Sequence, residues 1–237
     1  MGLIDYIFPQ GYKCVFCNKE ISSFGVCDDC KNRLPFIKEN VCVLCGGRTT
    51  VGTDICIDCK ADTREFSKCF CLLDYDDEVS SRILKFKSKK YKNIGYAFAH
   101  LLLDKFKEID IPFDIIIPVP IHSNRYKSRG FNQSEILCSE ISKYYGRVSC
   151  DALERIIDTP HQAGLDRDNR KINLEGAFKV PDKKKIKGKI VLVVDDIFTT
   201  GSTLNECAKA LLKAGASKVY GLCLSRAVLN WDNILYE

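Results

Sequence analysis

The chain has no apolar run approaching the ~20 residues that a membrane-spanning helix needs, so none is expected in its 237 residues. Its opening residues, Met1 to Gln10, carry no basic cluster, and Asp5 and Pro9 interrupt their apolar stretch, unlike a secretory leader. The expected compartment is the cytoplasm. Histidine is scarce, with only three, and no Cys–His or Ser–His pairing marks a covalent nucleophile. Repeats are absent apart from cysteine pairs. An apolar share of 46% and a charged share of 28% exclude disorder, collagen-like repeats and a fibrous coil. The length suits one large domain, or a core domain plus a small one.

Cysteine is what the chain has in excess: 14 residues, ten of them between positions 14 and 71. In a reducing compartment such a cluster points to metal rather than to disulfides. Cys14-x-x-Cys17 and Cys27-x-x-Cys30 form one group; Cys42-x-x-Cys45 and Cys56-x-x-Cys59 form another. A CxxC turn lets two thiolates meet one metal at ~2.3 Å, and two such turns close a tetrahedral site with no open position. Gly46 helps the third turn. Two structural Zn²⁺ sites are expected. Sequential pairing of the turns is the simplest, and an interleaved pairing satisfies the same spacing. So small a segment, with few large apolar residues, depends on its metal to fold. Residues 1–72 hold nine Lys/Arg and nine Asp/Glu, so the net +5 belongs to the remainder. Two four-thiolate zinc sites, at −2 each, would lower it to about +1, and the basic balance is no argument for nucleic acid. Cys69 and Cys71 alternate on a predicted strand and read as core or neighbour-facing residues. Cys138, Cys150, Cys207 and Cys223 read as small buried side chains.

Composition changes near residue 65, which divides the chain into a cysteine-rich module (1–65) and an α/β domain (66–237). Strands are expected at Cys69–Tyr75, Asp114–Val119, Lys189–Val194 and Lys218–Leu224. Helices are expected at Glu78–Lys87, Lys92–Phe106, Ser134–Tyr145 and Ser202–Ala214, the last closed by Gly215. Continuous β-branched strands alternating with helices argue a parallel sheet. Between Arg155 and Leu174 the chain is polar and aperiodic, the pattern of a long functional loop.

The sharpest signal runs from Val191 through Asp195 and Asp196 to Leu204. A buried strand ends in two carboxylates, and a hydroxyl-rich loop with one glycine then opens a helix. Gly201 permits a backbone shape that turns N–H groups toward one point. Thr199, Thr200, Ser202 and Thr203 add hydroxyls, and the helix N-terminus favours an anion. The set suits a terminal phosphate monoester, with Asp195 and Asp196 free to accept hydrogen bonds from vicinal ribose hydroxyls.

This string resembles the 5-phosphoribosyl-1-pyrophosphate (PRPP) motif of type I phosphoribosyltransferases. With the four cysteine turns, Ile117-Pro118-Val119-Pro120, the run from Arg129 to Ser134, and Gln162 with Arg170 and Asn173, the chain resembles the competence-associated ComF family over nearly its whole length. The resemblance implies a parallel-sheet phosphoribosyltransferase-like domain behind a double zinc ribbon, and an Mg²⁺-dependent pentosyl transfer from PRPP. It places a pyrophosphate loop near Pro120 to Asn124 and a mobile hood over Arg155 to Asn173. That loop offers Pro120, Ile121 and His122 where such enzymes often carry a basic residue, so Arg125, Lys127 or Arg129 would reach in. Asp195, Asp196 and Arg129 are the expected catalytic set; Gln162 and Arg170 would contact PRPP from the hood. The ribbon would partly replace the hood in selecting the acceptor.

Blander roles compete at several positions. Arg129 serves equally to stabilise the following helix, for which Gly130 and Asn132 supply turn and N-cap. His122 fits packing beside a strand end as well as proton transfer. Arg82, Lys85, Lys87, Lys89, Lys90 and Lys92 span eleven residues without an acid, interleaved with Phe86 and Tyr91. That pattern fits a solvated face or single-stranded nucleic acid. Lys183, Lys184, Lys185, Lys187 and Lys189 form a second basic cluster before a core strand. Beside an enzyme, the alternatives are a non-catalytic PRPP or nucleotide sensor, and a single-stranded-DNA-binding factor that serves DNA uptake beside a competence helicase.

Overall fold

The computed structural model describes residues 12–146, 152–158 and 174–227. Gln162, Arg170, Asn173 and Cys150 lie outside the described residues.

The cysteine-rich part is built from short pieces. Strand β1 (Tyr12–Lys13) pairs antiparallel with β2 (Glu20–Ile21). Helices α1 (Asp28–Arg33) and α2 (Ile57–Ala61) each begin directly after a cysteine. The sheet then opens with β3 (Lys68–Asp74), followed by α3 (Asp77–Phe86) and α4 (Lys92–Lys107). Asp76 starts α3 by accepting a hydrogen bond from the Val79 N–H at 2.8 Å. Next come β4 (Ile115–Pro118), α5 (Ser123–Arg129) and α6 (Gln133–Tyr145). A two-stranded ribbon pairs β5 (Glu154–Arg155) with β6 (Phe178–Lys179). The last described elements are β7 (Ile190–Phe198), α7 (Ser202–Lys213) and β8 (Lys218–Arg226).

Four parallel strands form the central sheet in the order β3-β8-β7-β4. Both faces are covered, which is why β7 is apolar at consecutive positions. Leu192 and Val194 face α3, α4 and α6, with Phe98, Phe106, Leu137 and Ile141. Val191 and Val193 face α7, with Leu204, Ala208 and Leu211. Truncating one of these buried side chains, Leu192→Ala for instance, costs about 2–5 kcal/mol.

The two cysteine quartets embrace the edge strand from opposite faces. Cys42, Cys45 and Cys59 join the α7 side of the core. The first quartet forms its own cluster, and Phe16 connects it to the helices of the other face. Phe16 stands 5.5 Å from Phe98 of α4, with the Arg82 guanidinium 4.0 Å over its ring. The segment between the quartets satisfies the free edge of β3. Ile37 donates to the Leu72 carbonyl, Asp74 to that of Pro35, and Cys69 to that of Leu44, so no open edge is left there to pair with another chain.

Two expectations change. The strand expected at Lys189–Val194 continues through both carboxylates to Phe198, because β8 keeps pairing with it as far as Arg226. Ser123 to Arg129 is helical, so the segment expected as a loop to Asn124 is a short turn at 119–122 leading into α5. None of the α5 side chains is buried, so no apolar period announced it. Of the stretch expected as a long loop and hood, residues 159–173 lie outside the described residues; at its start Arg155 pairs with Phe178.

Candidate functional site

The four cysteine turns pair sequentially. The Sγ atoms of Cys14, Cys17, Cys27 and Cys30 lie within 4.8 Å of one another, and so do those of Cys42, Cys45, Cys56 and Cys59. The Cys17–Cys27 and Cys45–Cys56 pairs stand at 3.6 Å. Thiolates on a tetrahedral zinc at ~2.3 Å stand about 3.8 Å apart, whereas a disulfide needs ~2.05 Å. The donor set and spacing fit zinc. Backbone N–H groups of Phe16 and Cys27 donate to the Cys14 sulfur, and that of Cys56 to the Cys42 sulfur; such bonds disperse thiolate charge.

The hydroxyl-rich loop, expected to take a phosphate, leaves β7 at Phe198 and enters α7 at Ser202. Gly201 has φ +80°, and a Cβ there would meet the Phe198 ring at 2.5 Å, so glycine is required twice over. The Thr200 and Ser202 hydroxyls are hydrogen-bonded at 2.8 Å. Two buried arginines hold the loop from behind. Arg64 donates to the Thr200 carbonyl at 2.9 Å, and Arg226 to the Thr199 carbonyl at 2.6 Å. Two loop carbonyls are thus engaged by buried guanidinium groups, and the Ser202 N–H donates to the Thr200 hydroxyl at 3.4 Å.

Asp195 and Asp196 stand in the second half of β7, both half-buried. The Asp195 carboxylate accepts from the Ser134 hydroxyl at 3.2 Å and from the Asp196 N–H at 2.9 Å. Burial, with the charge of Asp196 beside it, pushes Asp195 up to about 8 against those bonds and the pull of Lys87. Asp196 faces the Lys87 ammonium at 3.6 Å.

The run from Arg129 to Ser134 ties this carboxylate end together. Asn132 is buried; its side chain caps α6 through the Ser134 N–H and donates to the Val119 carbonyl at the end of β4. Arg129 donates to Gln133 at 2.7 Å, the helix-stabilising role, and also lies in the field of Asp196. Burial lowers its pKa, with Asp196 opposing and Arg125 reinforcing the shift. Arg125 is paired with Asp158 at 4.0 Å, and Lys127 is exposed. His122 caps α5, its Nδ1 accepting from the Asn124 N–H. Arg155 is brought near Asp195 by the β5–β6 ribbon; burial lowers its pKa, Arg125 adds to that, and Asp195 opposes it.

Three residues escaped the sequence reading: Arg64 and Arg226, which hold the loop, and Lys87, which had been absorbed into a basic run. Their partners lie far away along the chain, so no local pattern carried the signal. A cavity of about 460 Å³ between the inter-quartet segment and α4, lined by Lys31, Phe36, Leu72, Leu101 and Lys105, lies away from this chemistry. The cleft at the loop itself is narrow and lined by Asp195, Thr199, Gly201, Thr203 and Cys223.

Parallel sheet, phosphate loop and cysteine quartets define a phosphoribosyl transferase domain behind a double zinc ribbon. Residues 92–227 match the phosphoribosyl transferase domain family and residues 3–60 the double zinc ribbon domain. The chain is 31% identical to the DNA utilization protein YhgH of Escherichia coli O6:H1 over 91% of its length and 97% of that protein. It is 29% identical to competence protein F of Haemophilus influenzae, with the same coverage. To competence protein ComFC of Bacillus subtilis it is 27% identical, covering 85% of this chain and 84% of that one. The chain belongs to the ComF family. Among solved structures, the allosteric regulatory enzyme of purine biosynthesis aligns at 20% identity and a TM-score of 0.37, covering 55% of this chain and 26% of that one. Among the described residues, no helix is long and apolar enough to cross a membrane.

Proposed function

We propose that the protein binds PRPP with Mg²⁺ at the carboxylate end of the sheet and transfers its phosphoribosyl group to an acceptor. One observation carries the reading: paired carboxylates, a glycine-hinged hydroxyl loop with its carbonyls tied backward, and the cations Lys87 and Arg129 meet at one sheet end. The loop 199–203 holds the 5-phosphate. Asp195 and Asp196 accept from the ribose hydroxyls and fix the ring. The donor set also fits Mg²⁺, since carboxylates together with substrate phosphates are its usual ligands; Asp195 and Asp196 would help to hold it, and it would supply charge neutralisation for pyrophosphate.

Lys87 and Arg129 attract the same pyrophosphate from the protein side, while the acceptor approaches the opposite face of C1′. Positioning and electrostatics then supply the catalysis. The test is a thermal-shift and calorimetric titration with PRPP and Mg²⁺, beside an Asp195→Ala/Asp196→Ala double variant. Saturation at 100-fold over Kd adds ~2.7 kcal/mol, a rise of roughly 5–11 °C in Tm, absent from the variant. No rise at millimolar PRPP would overturn the reading. Binding without pyrophosphate release would make the protein a sensor.

A second reading rests on the exposed turn Lys89–Tyr91, which runs beside Gly130 at the mouth of the same end. Exposed lysines with an aromatic neighbour suit a single-stranded polyanion, and two relatives are named competence proteins. In this reading the exposed apolar side chains of the ribbon, Val43, Val51 and Ile57, would meet a helicase partner. Affinity for single-stranded DNA that falls steeply with salt, and falls further in Lys89→Ala/Lys90→Ala, supports it.

A further inference from the structure

Cys69 and Cys71 occupy one face of β3, two residues apart, and Cys223 on β8 is the register partner of Cys71. All three are buried. Their sulfurs lie within 4.8 Å of one another, the same window as each zinc quartet, and Cys69 and Cys223 stand at 3.7 Å. Three thiolates around one ion at ~2.3 Å stand about 4 Å apart, well beyond the ~2.05 Å of a disulfide.

The surroundings are shaped for these sulfurs. The register partner of Cys69 is Gly221, where a Cβ would meet the Cys69 sulfur at 2.9 Å. The Gly46 backbone packs on the β3 main chain beside them: a Cβ there would meet the Cys69 carbonyl at 2.6 Å and the Cys71 nitrogen at 2.7 Å, and the Cys71 thiol, which metal binding would deprotonate, donates to the Cys45 carbonyl at 3.3 Å. Arg226 supplies a buried positive charge close enough to feel Cys71. Cys223 also lines the narrow cleft beside the loop 199–203. Three small side chains filling a core would explain their burial equally well, and adjacent positions on one sheet face bring them close; what singles the cluster out is that all three are sulfurs, within 4.8 Å of one another.

We propose that Cys69, Cys71 and Cys223 form a third metal site, a closed three-thiolate site for a thiophilic d¹⁰ cation of the Cu(I) type. A soft, all-sulfur donor set selects Cu(I). Structural zinc takes four ligands, and the three sulfurs are the ligand atoms brought together here. Cu(I) enters without change of oxidation state, each bound thiol releases one proton to solvent, and Arg226 offsets part of the negative charge that remains.

The test uses the full chain with zinc bound, kept anaerobic and titrated with Cu(I) buffered by a competing chelator. Copper and zinc are counted by native mass spectrometry and elemental analysis, and the copper environment is read by X-ray absorption. The expected result is one Cu(I) beside two retained zinc ions, with three sulfur neighbours. Copper is lost, and zinc kept, in Cys223→Ala; Cys138→Ala, at a buried thiol on the other face, keeps copper. Should Cys223→Ala fail to fold, Cys69→Ser serves in its place, and the wild-type X-ray absorption stands independently. Copper bound only by displacing zinc, copper retained in the cluster variants, a two-sulfur environment, or a Cys69–Cys223 disulfide in place of copper would each overturn the proposal.

Discussion

Asp58 and Arg226 lie 168 residues apart in the chain and 2.8 Å apart in space. Asp58 sits between the two cysteines of the fourth turn; Arg226 ends the last strand. The same guanidinium donates to the carbonyl of Thr199, so one side chain joins the second zinc quartet to the phosphate loop. Arg226→Met removes the cation, and with it the ion pair to Asp58 and the hydrogen bonds to the loop carbonyls. We expect a loss of about 2–4 kcal/mol, read as roughly 4–16 °C in Tm, together with weaker PRPP binding by calorimetry. Asp58→Asn keeps a hydrogen-bond acceptor and should lose less of both.

The two zinc quartets differ in what depends on them. The second is embedded in the core beneath α7, whereas the first is a separate cluster resting on Phe16. Cys42→Ala should therefore lower the Tm of the whole unfolding transition and abolish the PRPP-induced shift. Cys14→Ala should release one zinc ion, leave the PRPP shift in place, and loosen only residues near Phe16, as hydrogen exchange would show.

Asp195 predicts a pH dependence of defined sign. Its folded-state pKa, about 8, lies above the unfolded value of ~3.9, so the folded state prefers the protonated form. The associated stability is full below the unfolded pKa and is lost as pH rises through about 8. Ribose hydroxyls and Mg²⁺ favour the carboxylate, so PRPP binding near neutral pH should release a proton. Calorimetry in buffers of different ionisation enthalpy measures that release, and affinity should climb between about pH 6.5 and 9. Asp195→Asn should bind more weakly and show neither effect.

The parts of the fold that bury a face were legible in the sequence. Leu192 and Val194, Ile83 and Phe86, Leu137 and Ile141 announce their elements because burial imposes a period. Helix α5 buries nothing and announced nothing. The end of β7 was misplaced because two adjacent carboxylates read as the close of a strand, while pairing with β8 carries the strand past them. At the site, glycine, hydroxyls and carboxylates are contiguous and therefore legible. Lys87, Arg64 and Arg226 arrive from elsewhere in the chain, and only the packed fold joins them to the loop.

Lys87 gives a sharper test of the pyrophosphate side. Lys87→Met should weaken PRPP by roughly 10- to 100-fold, the worth of a lost hydrogen bond to a charged group. Ribose 5-phosphate, which carries no pyrophosphate, should bind the variant and the wild type alike. Equal weakening for both ligands, in a direct titration, would show that Lys87 serves only to hold Asp196.

The strand order has a consequence for how the molecule is made. β3 is the first strand of the sheet to leave the ribosome, and its partner, β8, is the last. The second cysteine quartet seats against that pair, with the Gly46 backbone pressed on Cys69 and Cys71. Pairings this distant in sequence form late. The amino-terminal thiols must wait until β8 (Lys218–Arg226) has been made before their floor exists, and zinc held by the quartet would shield them through that interval.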